Sequence, residues 1–147
     1  MSGTREITIL LVEDDLSHAR LVRRNLQHSK ITNDVVHVSD GQQALDYLFG
    51  EGAFAGHEHP WPLLILLDLK MPVLDGFQTL ERIKTDERTR HIPVIVLSTI
   101  DDLHEAARCY DLGCNAYLTK PVDSERFSKV VRDVGLFLSI VAIPNGE

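Results

Sequence analysis

Acidic residues stand at the ends of two strongly apolar segments of this sequence. Glu13 and Asp14 follow the run from Ile7 to Val12, and Asp68 closes the segment "LLILLD". A lone carboxylate is strongly disfavoured in a protein interior, so these groups either face solvent or belong to a charged site. Three carboxylates brought together repel one another unless a hard cation neutralises them, and oxygen ligands are what Mg²⁺ prefers. If the fold unites them, the pattern predicts a magnesium site.

Two further side chains could complete a site that accepts a phosphoryl group. An aspartate carboxylate can act as the nucleophile and form an aspartyl phosphate, while Mg²⁺ shields the incoming charge. Asp68 is the candidate acceptor. Lys120 supplies a compact positive charge for one phosphoryl oxygen, and the Ser98 hydroxyl can donate a hydrogen bond to another. These residue types therefore predict phosphoryl acceptance on Asp68.

Five short apolar segments, each followed by a helical one, should position these side chains. The predicted strands are Ile7 to Val12, Val35 to Val38, Leu63 to Leu67, Val94 to Leu97 and Ala116 to Leu118. Helical periodicity places Leu16, Ala19, Val22 and Leu26 on one face, and predicts a last helix from Ser124 to about Leu138.

Continuous apolar strands are typical of parallel sheets covered by helices on both faces. Right-handed crossovers then favour a flavodoxin-like (βα)5 fold, which is an α/β three-layer sandwich with a five-stranded parallel sheet in the order 2-1-3-4-5. In this fold the ligand crevice lies beyond the carboxyl ends of the strands. The polar residues that end the strands should therefore meet there, and they are Glu13, Asp14, Asp68, Ser98, Thr119 and Lys120.

Length and composition set the broad class of protein. The chain has 147 residues and a net charge of -7, so we expect one domain spanning residues 1–147, no effector domain, and neither nucleic acid nor an anionic membrane as partner. Cys109 and Cys114 form no CxxC pair, which favours free thiols in a reducing compartment. Neither a signal-peptide pattern nor a membrane-length apolar run is present. We therefore expect a cytoplasmic protein.

Four motifs, in chain order, carry a family resemblance. They are "LLVEDD" with the acidic pair Glu13 and Asp14, "LLDLKMPVLDG" with Asp68, "VLST" with Ser98, and "YLTKP" with Lys120. Together they resemble the receiver domain of bacterial two-component response regulators, the CheY-like superfamily, over essentially the whole chain. Each motif alone is weak, whereas four at compatible spacings are specific.

The resemblance implies a mechanism. A sensor histidine kinase passes its phosphoryl group to Asp68, the Ser98 hydroxyl moves toward that group, and Tyr117 turns inward as a second switch residue. The implied Mg²⁺ ligands are Glu13 or its water, Asp14, Asp68 and the backbone carbonyl of Lys70. Such a protein is not an enzyme in the usual sense, because it catalyses only its own phosphorylation and dephosphorylation.

A closer resemblance is to the small stand-alone regulators of bacterial and cyanobacterial phytochromes. It rests on the long loop from Phe49 to Pro62, the segment "DGQQALDYLFG" and the ending "LFLSIVAIP". The ending also carries more apolar residues than one buried helix face needs, which suggests a partner. We therefore expect a homodimer formed through strand five, helix five and the tail, with a phytochrome kinase as a candidate phosphoryl donor.

Several other interpretations stay open from the sequence. The chain could be a receiver-like interaction module that works without phosphate, although Glu13, Asp14, Asp68, Ser98 and Lys120 are all present. Phosphohydrolases of the haloacid dehalogenase type also use an aspartate nucleophile, but they carry an acid where this chain has Lys70. The segment "HEH" at His57 to His59 is interpreted as surface loop, and the remaining acidic residues considered are interpreted as turn or cap residues, namely Asp15, Asp40, Asp75, Asp101 and Asp102.

Overall fold

Five parallel strands form the central sheet of the protein. The structure is a computed structural model that describes residues 7–28, 31, 33–71, 73–100, 102–120 and 123–140, with side chains as far as residue 134. The strands are β1 (Thr8–Val12), β2 (Val35–Val38), β3 (Leu63–Asp68), β4 (Val94–Ser98) and β5 (Ala116–Thr119). Their order in the sheet is β2-β1-β3-β4-β5, and every neighbouring pair is parallel. The predicted flavodoxin-like topology is confirmed.

Helices follow the strands in alternation, and three of them begin at predicted caps. They are α1 (Leu16–His28), α2 (Gly41–Phe49), α3 (Gly76–Thr85), α4 (Leu103–Asp111) and α5 (Ser124–Ile140). Asp40, Asp75 and Asp102 each accept a hydrogen bond from a backbone N–H in the first turn of α2, α3 and α4. Asp101 lies outside the described residues. No helix in the described ranges is long and apolar enough to cross a membrane.

The core consists of two apolar layers, one on each face of the sheet. Alternate residues of a strand point to opposite faces, so Leu10 packs in the layer with α2 and α3, and Ile9 in the layer with α1 and α5. All six residues of β3 are buried, as its continuous apolar run predicts for a central strand. Ala19, Val22 and Leu26 are buried on α1, whereas Leu16, predicted on the same face, is 62% exposed at the start of the helix.

The long loop before β3 packs against α2. It contains a short 3-10 helix, Gly52–Phe54, and the Phe54 ring stands edge-on to Tyr47 with ring centroids 5.2 Å apart. His57 also lies beside the Tyr47 ring, with centroids 6.2 Å apart. Among the described residues, one group of side chains could hold a metal ion, and it consists of Glu13, Asp14 and Asp68. His57 and His59 are not part of it. The structure thus agrees with a loop role for this segment.

The described part of α5 packs into the core. Val131 is buried, and Val130 and Val134 are half-buried against the layer formed with α1. These three valines therefore need no partner to cover them. The other apolar residues of the predicted dimer surface have side chains or whole residues outside the described part, namely Leu136, Phe137, Leu138, Ile140, Val141 and Ile143.

Val73, in the loop between β3 and α3, has a strained backbone. Its φ of 69° lies in the left-handed region, which a β-branched residue rarely adopts, and its side chain is 81% exposed. Val73→Asn should therefore raise the free energy of unfolding by about 1 kcal/mol, because asparagine tolerates this conformation. Urea unfolding would measure the change, with Val73→Ala giving a smaller gain. A destabilised Val73→Asn would mean that the valine side chain contributes packing that outweighs its strain.

Candidate functional site

Three carboxylates meet at the carboxyl ends of β1 and β3. Glu13 and Asp14 directly follow β1, and Asp68 is the last residue of β3, which pairs with β1 in the centre of the sheet. One carboxylate oxygen from each residue lies within 4.8 Å of the other two. Glu13 and Asp68 are only 1% and 7% exposed, whereas Asp14 faces solvent. The predicted acidic cluster is therefore present in the fold.

Lys120 neutralises part of this cluster. Its Nζ donates a hydrogen bond to Glu13 Oε1 at 2.5 Å and another to Asp68 Oδ1 at 3.1 Å. The backbone helps to place it, since the Lys120 N–H donates to the Ser98 carbonyl at 2.6 Å, just beyond the last pair of the β4–β5 ladder. A single ammonium group thus bridges two buried carboxylates from different strands.

Burial controls the protonation of Asp68. It raises the pKa of this carboxyl to about 6, and the neighbouring carboxylates of Glu13 and Asp14 add to the effect, while the positive charge and hydrogen bond of Lys120 oppose it. The ionised form is therefore less favourable in the folded protein than in the unfolded chain. An added cation would relieve the same repulsion, which is why the site is suited to bind one.

We expect Asp68→Asn to stabilise the metal-free protein at neutral pH. The unfolded carboxyl releases its proton near pH 4 and the folded one near pH 6, so the free energy of unfolding of the wild type falls across this interval. An uncharged amide avoids that loss, and the gain should be about 1–2 kcal/mol at pH 7.5 and near zero at pH 4. Urea unfolding in chelator would measure it, with exposed Asp34→Asn as control. An equal gain at both pH values would contradict burial of the charge as the cause.

The hydroxyl groups of Ser98 and Tyr117 both lie beside Glu105 of α4. Ser98 Oγ donates to Glu105 Oε1 at 3.0 Å and accepts from the Ile100 N–H at 3.1 Å. Tyr117 Oη donates to the Ile100 carbonyl at 2.6 Å and lies 3.2 Å from the same Glu105 oxygen. Ser98 ends β4 as predicted, but its hydroxyl bonds α4, and no hydrogen bond joins it to Asp68 within the described part of the chain. The Tyr117 side chain is half-buried and packs against the core layer formed with α2 and α3.

The loop after β3 closes over the end of that strand. Gly76 donates its N–H to the Leu69 carbonyl at 2.9 Å, which ties the start of α3 to the residue after Asp68. Lys70 is exposed, in agreement with the expectation that its side chain faces solvent. The neighbouring Pro72 and Pro121 of the sequence motifs lie outside the described residues.

Two residues of the site, His18 and Glu105, were not predicted from the sequence. His18, on the first turn of α1, places Nδ1 3.1 Å from Lys120 Nζ. Glu105, three residues after the cap of α4, accepts from the Ser98 hydroxyl and lies 3.2 Å from the Tyr117 hydroxyl. A signal for His18 existed, because it stands four residues after Asp14 and so one helical turn beyond the acidic pair. No comparable signal marks Glu105.

The sequence and the fold match those of known proteins. The sequence model of one family, the response regulator receiver domain, matches residues 9–132. The response regulator Rcp1 of Synechocystis is 36% identical over 137 residues, which cover 92% of each chain.

Solved structures agree with this comparison. The bacteriophytochrome response regulator RtBRR is 40% identical with a TM-score of 0.80, covering 93% of this chain and 82% of that one. The Mn²⁺-bound form of Rcp1 has a TM-score of 0.74 at 35% identity, covering 93% of this chain and 98% of that one. The phosphorylated cyanobacterial phytochrome response regulator RcpA has a TM-score of 0.74 at 38% identity, with 92% and 96% covered.

Proposed function

This chain belongs to the response regulator receiver domain family, and we propose on this premise that it accepts a phosphoryl group on Asp68 and thereby switches its contacts with other proteins. The observation that carries the proposal is the placement of Asp68. Its carboxylate is 7% exposed at the end of the central strand, beside two further acids and in contact with Lys120. A buried carboxylate with an adjoining ammonium group suits nucleophilic attack on phosphorus better than it suits a structural role.

The donor set of the cluster fits a hard divalent cation. All three side chains offer carboxylate oxygens, and they converge within 4.8 Å from two adjacent strand ends. We propose that Glu13, Asp14 and Asp68, with the backbone carbonyl of Lys70, hold Mg²⁺. When bound, the ion would offset the negative charge of the incoming phosphoryl group. The Mn²⁺-bound form of the relative Rcp1 supports a divalent cation in this family.

The remaining steps belong to the side chains of this protein. A carboxylate oxygen of Asp68 attacks the phosphorus atom, and the donor's leaving group departs. Lys120, already 3.1 Å from Asp68 Oδ1, can contact a phosphoryl oxygen with little movement. The Ser98 hydroxyl has to leave Glu105 to reach another phosphoryl oxygen. The Glu105 carboxylate, which also lies beside the Tyr117 hydroxyl, then loses its hydrogen bond from Ser98. Phosphorylation would thus shift a two-state equilibrium around α4 and β5.

The partners follow from the relatives. Several are regulators of phytochromes by name, and one of them is phosphorylated in its crystal structure. We propose that a sensor histidine kinase of the bacteriophytochrome type donates the phosphoryl group. We also propose that this protein acts in the cytoplasm and does not turn over other substrates. We further propose a homodimer through β5, α5 and the tail. A monomeric mass in light scattering at micromolar concentration, for both the phosphorylated and the unphosphorylated protein, would rule it out.

The first test requires no knowledge of the kinase. The purified protein is incubated with acetyl phosphate in the presence and absence of Mg²⁺, and its intact mass is recorded. One hydroxylamine-labile phosphoryl adduct that requires Mg²⁺ is the expected result. A folded protein that forms no adduct and no beryllofluoride complex would overturn the proposal and favour an interaction module that works without phosphate.

A further inference from the structure

His18 connects α1 to the acidic cluster through Lys120. The imidazole Nδ1 lies 3.1 Å from Lys120 Nζ, and the side chain is 37% exposed. An ammonium group carries three N–H bonds and can only donate. Within the described part of the chain, its acceptors are Glu13, Asp68 and His18. His18 therefore occupies the last donor position of Lys120.

The surroundings of His18 favour the tautomer that this contact requires. If Nδ1 accepts from Lys120, the ring proton must sit on Nε2. Nε2 lies 3.9 Å from Asp15 Oδ2, so a proton on Nε2 has a carboxylate nearby, although not at hydrogen-bond distance. Nδ1 lies equally far from Glu13 Oε1, but that oxygen already accepts from Lys120. The Asp15 carboxylate is itself held in place, because its Oδ1 accepts from the Ser17 hydroxyl at 2.6 Å and from the Ser17 N–H at 2.8 Å. The imidazole thus lies between the Asp15 carboxylate and Lys120, with Nδ1 as the atom that contacts the ammonium group.

We propose that His18 is a positioning residue that fixes the Lys120 ammonium group beside Asp68 during phosphoryl transfer. The inference rests on the function proposed above and extends it to a side chain outside the acidic cluster. A lysine side chain has four flexible methylene groups, so a single contact leaves its ammonium poorly placed. Of the three acceptors, His18 is the one that is not a carboxylate of the cluster. It can keep its contact while Glu13 and Asp68 take other partners.

Substitutions at position 18 separate the acceptor from the ring. His18→Leu removes the acceptor. We expect the rate of phosphorylation by acetyl phosphate to fall about tenfold at saturating Mg²⁺ and saturating acetyl phosphate, which corresponds to the weaker hydrogen bonds made by charged groups. His18→Asn places an amide oxygen close to the position of Nδ1 and is expected to recover most of the lost rate. In the Lys120→Ala background, His18→Leu should have no further effect, because there is no ammonium group to orient.

A second measurement is independent of phosphorylation. Long-range ¹H–¹⁵N NMR of the free protein at pH 8 should report His18 with its proton on Nε2, and Lys120→Ala should weaken that preference. An unaltered rate in His18→Leu, an equally slow His18→Asn, or an additive loss in the Lys120→Ala background would each overturn the inference. A wild type that takes no phosphoryl group would instead overturn the proposed function. In that case the NMR measurement still tests the contact between His18 Nδ1 and Lys120 Nζ, and absence of the Nε2–H tautomer would contradict it.

Discussion

In the Asp68→Asn variant, the phosphoryl adduct formed from acetyl phosphate and Mg²⁺ is expected to fall by more than about a hundredfold. The amide oxygen carries no full negative charge and makes a poor nucleophile, while the shape of the side chain is preserved. Asp68 is the last residue of β3 and, with Glu13, one of the two cluster members that Lys120 contacts. Intact mass spectrometry at matched protein concentration would measure the loss.

Two variants serve as controls for this prediction. Asp14→Asn removes a charge from the exposed member of the cluster and should require more Mg²⁺ for the same adduct, since the acceptor itself is unchanged. Asp34→Asn removes an equal charge just before β2 and should behave as wild type. Full labelling of Asp68→Asn would transfer the acceptor role to another residue, which fragment masses of the adduct would then identify.

The positions of the three carboxylates were predictable because they depend on strands alone. A fully apolar run such as "LLILL" indicates a central parallel strand, and the residue after such a run, here Asp68, has to emerge at the carboxyl edge of the sheet. Glu13 and Asp68 lie on adjacent strands, so parallel pairing brings them together whatever the helices do. The same argument places Lys120, the residue after β5, at this edge of the sheet, where it contacts Asp68.

The contacts of His18 and Glu105 depend instead on how helices cross the sheet edge. Each contact joins a helix to a strand end: His18 meets Lys120 across 102 residues of sequence, and Glu105 meets Ser98 over the turn into α4. Periodicity predicts which face of a helix is buried, but it gives no axial position for a single polar side chain. The direction of the Ser98 hydroxyl could not be predicted for the same reason. Leu16, the first residue of α1, likewise fits the periodicity of the buried face and is nevertheless 62% exposed.

Gly76→Ala is expected to destabilise the fold and the site together. A Cβ at position 76 would lie 2.5 Å from the Leu69 Cα and 2.6 Å from the Asp68 carbonyl oxygen. Both are backbone atoms, so no side-chain rotation can relieve the clash, and either α3 or the end of β3 must move. We expect the free energy of unfolding to fall by about 3 kcal/mol or more, as for overpacked core positions.

The effect on phosphorylation should follow from the same displacement. Moving the Asp68 backbone alters the distance between its carboxylate and Lys120, so the adduct from acetyl phosphate should form more slowly even where the variant is still folded. Gly56→Ala is the matched control: its Cβ meets nothing within 4 Å, but its φ of 79° disfavours alanine, so it should cost about 1 kcal/mol and leave phosphorylation unaltered. A loss in Gly76→Ala no larger than that of Gly56→Ala would show that a small shift of α3 or β3 relieves the contact, because Gly76, unlike Gly56, does not have a positive φ. That result would also remove the reason to expect a slower reaction in Gly76→Ala.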